Sequence, residues 1–216
     1  RHEVGVGRVA VAVGIGQAAH FREHVHGLGP GHAVLRGQRL HVEGLEHAQH
    51  LAPAAIPRFA QQQVIASVQP YHAIDDGRWA IQRVGAERLK GTYAFKSLLG
   101  AGAKVAFGSD WPVAPLDPLT GVAAAVLRQT IDGANPGGWL PEQKISMLQA
   151  LHAYTATNAF AGFSDDRMGL LKPGMLADLV MLSGDIEATD PASIAALSPV
   201  LTICDGHVTF EAGGGR

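Results

Sequence analysis

The chain has 216 residues, 47% of them hydrophobic and 17% charged, with a formal net charge of −2. That is enough chain for a buried core, and the composition excludes a disordered, collagen-like or disulfide-stapled protein, since Cys204 is the single cysteine. The small, mixed charge gives no footprint for nucleic acid or an anionic bilayer, and no apolar run reaches the roughly 20 residues of a membrane helix.

Eight of the 11 histidines fall in the first 50 residues: His2, His20, His24, His26, His32, His41, His47 and His50. A histidine-rich metal-storage arm is one reading. The same stretch uses only eleven residue types, and all but Ile15 and Phe21 are encodable by codons beginning with C or G. That bias is expected when a GC-rich coding sequence is read out of frame. Residues 1–44 are therefore expected to be an out-of-frame or diverged segment, with a genuine glycine- and histidine-rich arm as the alternative. Nine glycines in the first 50 residues make a poor folding unit, whose one candidate strand is residues 9–13 (VAVAV). No secretory leader is recognisable, so the cytoplasm is the expected location. A chain that opens on Arg1 still leaves room for a leader upstream.

From residue 45 a strand, loop, helix texture takes over. Residues 64–68 (VIASV) form a short β-branched apolar run that predicts a buried strand, with Gln69-Pro70 opening a loop. Residues 93–99 place Phe95, Leu98 and Leu99 on one helical face, closed by Gly100 and Gly102. Residues 105–107 (VAF) give the next strand, the run GSDWP at 108–112 ends it, and residues 119–131 predict an alanine-rich helix. Repetition of this kind builds right-handed βαβ units and a parallel sheet. Two helices are expected between residues 141 and 160, the first with Pro141 at its first position and Glu142 in its first turn, the second capped by Thr155. Beyond Gly169, residues 178–182 (DLVML) and 200–204 (VLTIC) read as strands, and Asp205-Gly206 signals a hairpin into residues 207–210.

In a parallel α/β protein, ligands gather at the C-terminal ends of strands. Three polar clusters stand at such places: Glu46-His47 with Gln49-His50, Gln69 with His72, and Ser109-Asp110. An imidazole from one strand end and a carboxylate from another suit a divalent ion, and the carboxylate can also take a proton from attacking water. Spacing alone leaves Asp110 evenly balanced between metal ligand and helix cap, and it favours a core histidine over a ligand for His47. His50, three residues on, could share a helical face with His47. His152, within a helix, and His207, in the hairpin, read as structural or surface residues. No GxSxG elbow, P-loop or CxxC occurs, so a serine nucleophile, a phosphate cradle and a zinc ribbon lack support.

The runs LEHAQHL (45–51), ASVQPYH (66–72) and AFGSDWPV (106–113) resemble the last three barrel strands of the YtcJ-like amidohydrolases, the amidohydrolase family 3 group that includes N-substituted formamide deformylases. WLPEQKISMLQALHAYTATNAFA (139–161) and GLLKPGMLADLVML (169–182) are similar to that family's closing helices and its return to a small β-sandwich. The resemblance implies an α/β chain made of the C-terminal half of a (β/α)8 barrel, residues 45–168, followed by the last strands of the sandwich, residues 169–212. It further implies hydrolysis of a non-peptide carbon–nitrogen bond in a small amide-type substrate, with a divalent metal, zinc by expectation and one or two ions in the whole family. His47 then matches the family's strand 6 histidine ligand and Asp110 its strand 8 aspartate, which binds metal and carries the proton from water to the leaving nitrogen. Glu46 is implied as a group orienting His47, His72 as a contact to the substrate carbonyl, and Gln69 and Trp111 as neighbours of the substrate.

The departures matter as much. The family's strand 1 HxH pair has no counterpart except His24-Val25-His26, only 21 residues before His47 and so read as coincidence. Its strand 5 motif is also absent; Val13 and Gln17 stand at about the expected distance, in place of a ligand and an acid. Two ligands rarely hold a catalytic metal. The isolated chain is thus expected to bind zinc weakly, to hydrolyse nothing measurable, and to self-associate through exposed strand edges. A degenerate, non-catalytic binding protein on the same scaffold is the alternative function.

Overall fold

A computed structural model of the chain describes residues 10–11 and 43–214. The histidine-rich segment expected to be out of frame lies outside the described residues apart from Ala10, Val11, Glu43 and Gly44, as do Val13, Gln17 and the pair His24 and His26.

In chain order the strands are β1 (Ala10–Val11), β2 (Gly44–Glu46), β3 (Ile65–Val68), β4 (Val105–Phe107), β5 (Leu179–Leu182), β6 (Pro199–Cys204) and β7 (His207–Glu211). The helices are α1 (Ile56–Gln61), α2 (Pro70–Asp76), α3 (Ala80–Val84), α4 (Phe95–Gly100), α5 (Pro118–Leu127), α6 (Met147–Tyr154) and α7 (Ala156–Ala161). The strands form two sheets. One is parallel, in the order β2-β3-β4, and the other is antiparallel, in the order β1-β5-β6-β7.

The parallel sheet follows from its sequence. Ile65, Ala66 and Val68 of β3 and all three residues of β4 are buried, as expected of strands covered on both faces. The loop expected at Gln69-Pro70 is a single residue: α2 starts at Pro70, because proline in the first helical position surrenders no needed N–H. Under the sheet runs a chain of edge-on aromatic contacts, Tyr93–Phe95–Phe107–Tyr154, with centroids 5.3–6.2 Å apart. Helix α5 can press on it because Gly121 has no side chain; a Cβ there would lie 1.8 Å from the Tyr154 hydroxyl.

Two helix starts differ from expectation. Pro141–Gln143 is a single 3-10 turn, and α6 begins at Met147 because Ser146 and Gln149 form a reciprocal capping box. Thr155 precedes α7 without capping it, its hydroxyl donating backwards to the Leu151 carbonyl. At the chain's far end the expected hairpin forms, with Asp205 and Gly206 both at positive φ (48° and 77°). Leu182, Ile186 and Ile194 belong to the same hydrophobic core as Phe95 and Val122, so the two sheets share one core. No helix among the described residues is long and apolar enough to cross a membrane.

Candidate metal centre

Because β2, β3 and β4 are parallel and in register, their C-terminal ends share one rim. His47 follows β2 directly, Gln69 follows β3, His72 stands in the first turn of α2, and Asp110 lies three residues past β4. His47, His72 and Asp110 each offer one donor atom within 4.8 Å of the other two. Two of the three, His47 (φ 65°) and Asp110 (φ 59°), have left-handed backbones, a conformation sparsely used by non-glycine residues and concentrated at functional sites.

Each donor has a distinct support. Gln69, 4% exposed, donates from Nε2 to Glu46 Oε1 at 2.5 Å. Its Oε1 is thereby left to accept from His47 Nδ1 at 2.9 Å. The proton of His47 then sits on Nδ1, and the lone pair of Nε2 points away to serve as a ligand. Glu46 acts on His47 through Gln69, not by direct contact. The ring of His72 stacks 6.0 Å from that of His47. Its Nε2 is buried without a hydrogen-bond partner, and Asp110 Oδ2 is 3.7 Å away. Burial holds the His72 pKa below its ordinary value, with His47 adding to the shift and Asp110 opposing it.

The helix-cap reading of Asp110 and the shared helical face of His47 and His50 do not describe the structure. The cap of α5 is Asp117, which accepts from the Leu119 amide, so Asp110 is not a helix cap. His50 shares no helix with His47; it forms an isolated bridge to Thr92 and hydrogen-bonds the Thr92 hydroxyl at 2.9 Å. His152 hydrogen-bonds Thr157, and His207 is exposed in β7. Trp111, 65% exposed, stands beside Asp110 without being packed.

A buried nitrogen with no partner, facing a carboxylate and a second imidazole, fits a cation. His47 Nε2 and an Asp110 carboxylate oxygen are donors suited to zinc, and the unpartnered His72 Nε2 beside them is placed to meet either the ion or a substrate oxygen. Residues beyond the expected set also converge here. Asp76, the last residue of α2, accepts from Gln49 Nε2 and from the Tyr93 hydroxyl, both at 2.5 Å on the same oxygen. The spacing of Asp76 from His72, four residues along one helix face, was readable in the sequence; its partners were not.

Residues 2–210 match the profile of the amidohydrolase family, Amidohydro_3. The chain belongs to the amidohydrolase family. It is 45% identical over 152 residues to Protein LONG AFTER FAR-RED 3 of Arabidopsis thaliana, covering 70% of this chain and 26% of that protein. It is 34% identical over 167 residues to YtcJ of Bacillus subtilis (strain 168), covering 77% and 32%. The N-substituted formamide deformylase of Arthrobacter pascens is 29% identical over 128 residues, covering 59% and 23%. The chain thus spans about a quarter to a third of the length of these relatives. Among solved structures, a metal-dependent hydrolase from Pyrococcus horikoshii OT3 superposes with a TM-score of 0.62 at 33% identity, over 69% of this chain and 30% of that one. A zinc and atraton complex of atrazine chlorohydrolase TrzN from Arthrobacter aurescens TC1 shares the fold, with a TM-score of 0.54 at 23% identity over 78% and 36%. The expected kinship with YtcJ and the formamide deformylases therefore stands, and the α/β chain matches amidohydrolase structures over about a third of their length.

Proposed function

We propose that this chain carries the C-terminal share of a metal-dependent amidohydrolase site that hydrolyses a non-peptide carbon–nitrogen bond in a small amide-type substrate. In this reading residues 45–168 are the C-terminal half of a (β/α)8 barrel, residues 169–212 are strands of a small β-sandwich, and residues 1–44, which the family profile spans from residue 2, are the diverged one of the two alternatives. The observation that carries the reading is the convergence of His47, His72 and Asp110 on one strand-end rim around an unpartnered buried nitrogen.

His47 and Asp110 would hold a divalent ion, zinc by donor preference. Bound there, the ion supplies Lewis-acid polarisation of the scissile carbonyl and a lower pKa for the attacking water. The residues do the rest. Gln69, backed by Glu46, fixes the tautomer of His47. Asp110 orients the water, takes its proton as the water oxygen bonds to the carbonyl carbon, and returns that proton to the nitrogen as the carbon–nitrogen bond breaks. His72 Nε2, free of other partners, contacts the carbonyl oxygen. Exposed Trp111, next to Asp110, offers an apolar wall to the substrate.

The test is amidase activity on an N-substituted formamide by the chain extended with the upstream half of a family barrel, with and without Asp110→Asn. A loss of 100-fold or more is expected, on the order found for removal of a general base. Equal activity in the two proteins removes Asp110 from the mechanism.

A further inference from the structure

The helix that carries His72 and the turn that carries His47 are tied together by a carboxylate whose hydrogen bonds go to Gln49 and Tyr93. Asp76 closes α2 one turn after His72, and its Oδ2 accepts from two donors. One is Gln49 Nε2, two residues past His47 on the far side of the left-handed pair His47 (φ 65°) and Ala48 (φ 35°). The other is the Tyr93 hydroxyl. Tyr93 is a fixed post: it is 2% exposed, sits edge-on to Phe95 and Trp139, and its carbonyl accepts from Nη1 of the buried Arg128. The Tyr93 amide also donates to the Gln49 carbonyl at 2.8 Å, so Gln49 is gripped by its backbone and by its side chain. A left-handed turn at an alanine has little local reason to persist and needs such outside determination.

We infer that Asp76 is a positioning residue, whose carboxylate clamps the His47 turn to the His72 helix and so sets the separation of the two imidazoles at the proposed metal centre. The inference rests on the metal reading of that centre, and it differs from a plain structural role in what it asks of the two bonds. If Asp76 merely satisfied the buried Tyr93 hydroxyl, the Gln49 bond would be dispensable. As a clamp, the Gln49 bond is the one that reaches the ligand turn.

The experiment uses the full 216-residue chain, with Zn2+ titrated calorimetrically into the parent, Asp76→Ala, Asp76→Asn, Gln49→Ala and the Asp76→Ala/Gln49→Ala double variant. Amide hydrogen exchange is measured on the same proteins without metal. Asp76→Ala and Gln49→Ala are each expected to weaken zinc binding about 10- to 100-fold, as removal of a ligand's supporting group does, and the double variant no further. Asp76→Asn, whose amide oxygen still accepts both donors, is expected to stay within about threefold of the parent. Exchange at the Ala48 and Tyr93 amides should accelerate in both alanine variants, while the Ala66 amide in β3 keeps its protection. Unchanged exchange at Ala48 in Gln49→Ala overturns the clamp whether or not zinc binds. Parent-like zinc affinity in Asp76→Ala and Gln49→Ala also overturns it, and leaves the metal reading standing. Zinc binding by the parent that does not respond to His47→Ala sinks the metal reading, while the exchange data still decide the clamp.

Discussion

The two sheets of this chain are built from similar strand sequences and end in opposite situations. Strands β3 and β4 are buried along nearly their whole length, and the residues just past their ends converge on a polar rim. Strand β6 is half-buried and β7 is exposed at every position, and among the described residues no group of potential metal donors lies on that sheet. A strand held on both faces has its ends fixed by many packed neighbours, so a side chain one to three residues beyond it arrives at a defined place. A strand exposed along its length fixes little by itself, and exposed His47, which follows the largely exposed β2, is held instead by its bond to Gln69 at the end of buried β3.

Mutation can break this contrast. Phe95 is fully buried, touches the rings of Tyr93 and Phe107, and lies under the Arg128 guanidinium. Phe95→Ala is expected to cost about 3–5 kcal/mol in chemical denaturation, as large-to-small changes in packed cores do. Phe210, 49% exposed on β7, is expected to cost about 1 kcal/mol or less on the same substitution. Equal losses at the two positions would erase the distinction between the sheets.

A smaller effect sharpens it through pH. Burial lowers the His72 pKa in the folded chain, so the unfolded chain binds more protons just below the ordinary histidine value of about 6.5. Stability should therefore fall as pH drops through 6.5 and down toward the folded value, and Asn at position 72 should remove that part of the acid sensitivity. Denaturant midpoints at pH 7.5 and 5.5 check it. An unchanged acid loss in His72→Asn would show that His72 titrates as an ordinary exposed histidine.

Much of this architecture was legible in the sequence because its signals are local. Apolar runs gave β3 and β4, and Asp205-Gly206 gave the hairpin, since the turn type demands positive φ at both positions. The start of α6 was misjudged from an equally local cue: Pro141 opens a helical turn, but the capping box at Ser146 and Gln149 is the stronger start. The site was partly legible. His47, His72 and Asp110 could be placed at strand ends, yet the bond between His47 and Gln69 spans 22 residues and exists only in the parallel register of β2 and β3. The grip of Asp76 on Gln49 and Tyr93 spans 27 and 17 residues and depends on the left-handed turns at His47, Ala48 and Tyr93. Nothing in the spacing of those residues announces such turns.

In the proposed centre His47 and Asp110 together hold a divalent ion. Calorimetric titration of Zn2+ into the 216-residue chain, with His47→Ala and Asp110→Asn beside the parent, tests it most directly. Weak binding, lowered at least tenfold by either substitution, is the expected result; binding by the parent that neither substitution changes would place the zinc elsewhere and contradict the claim.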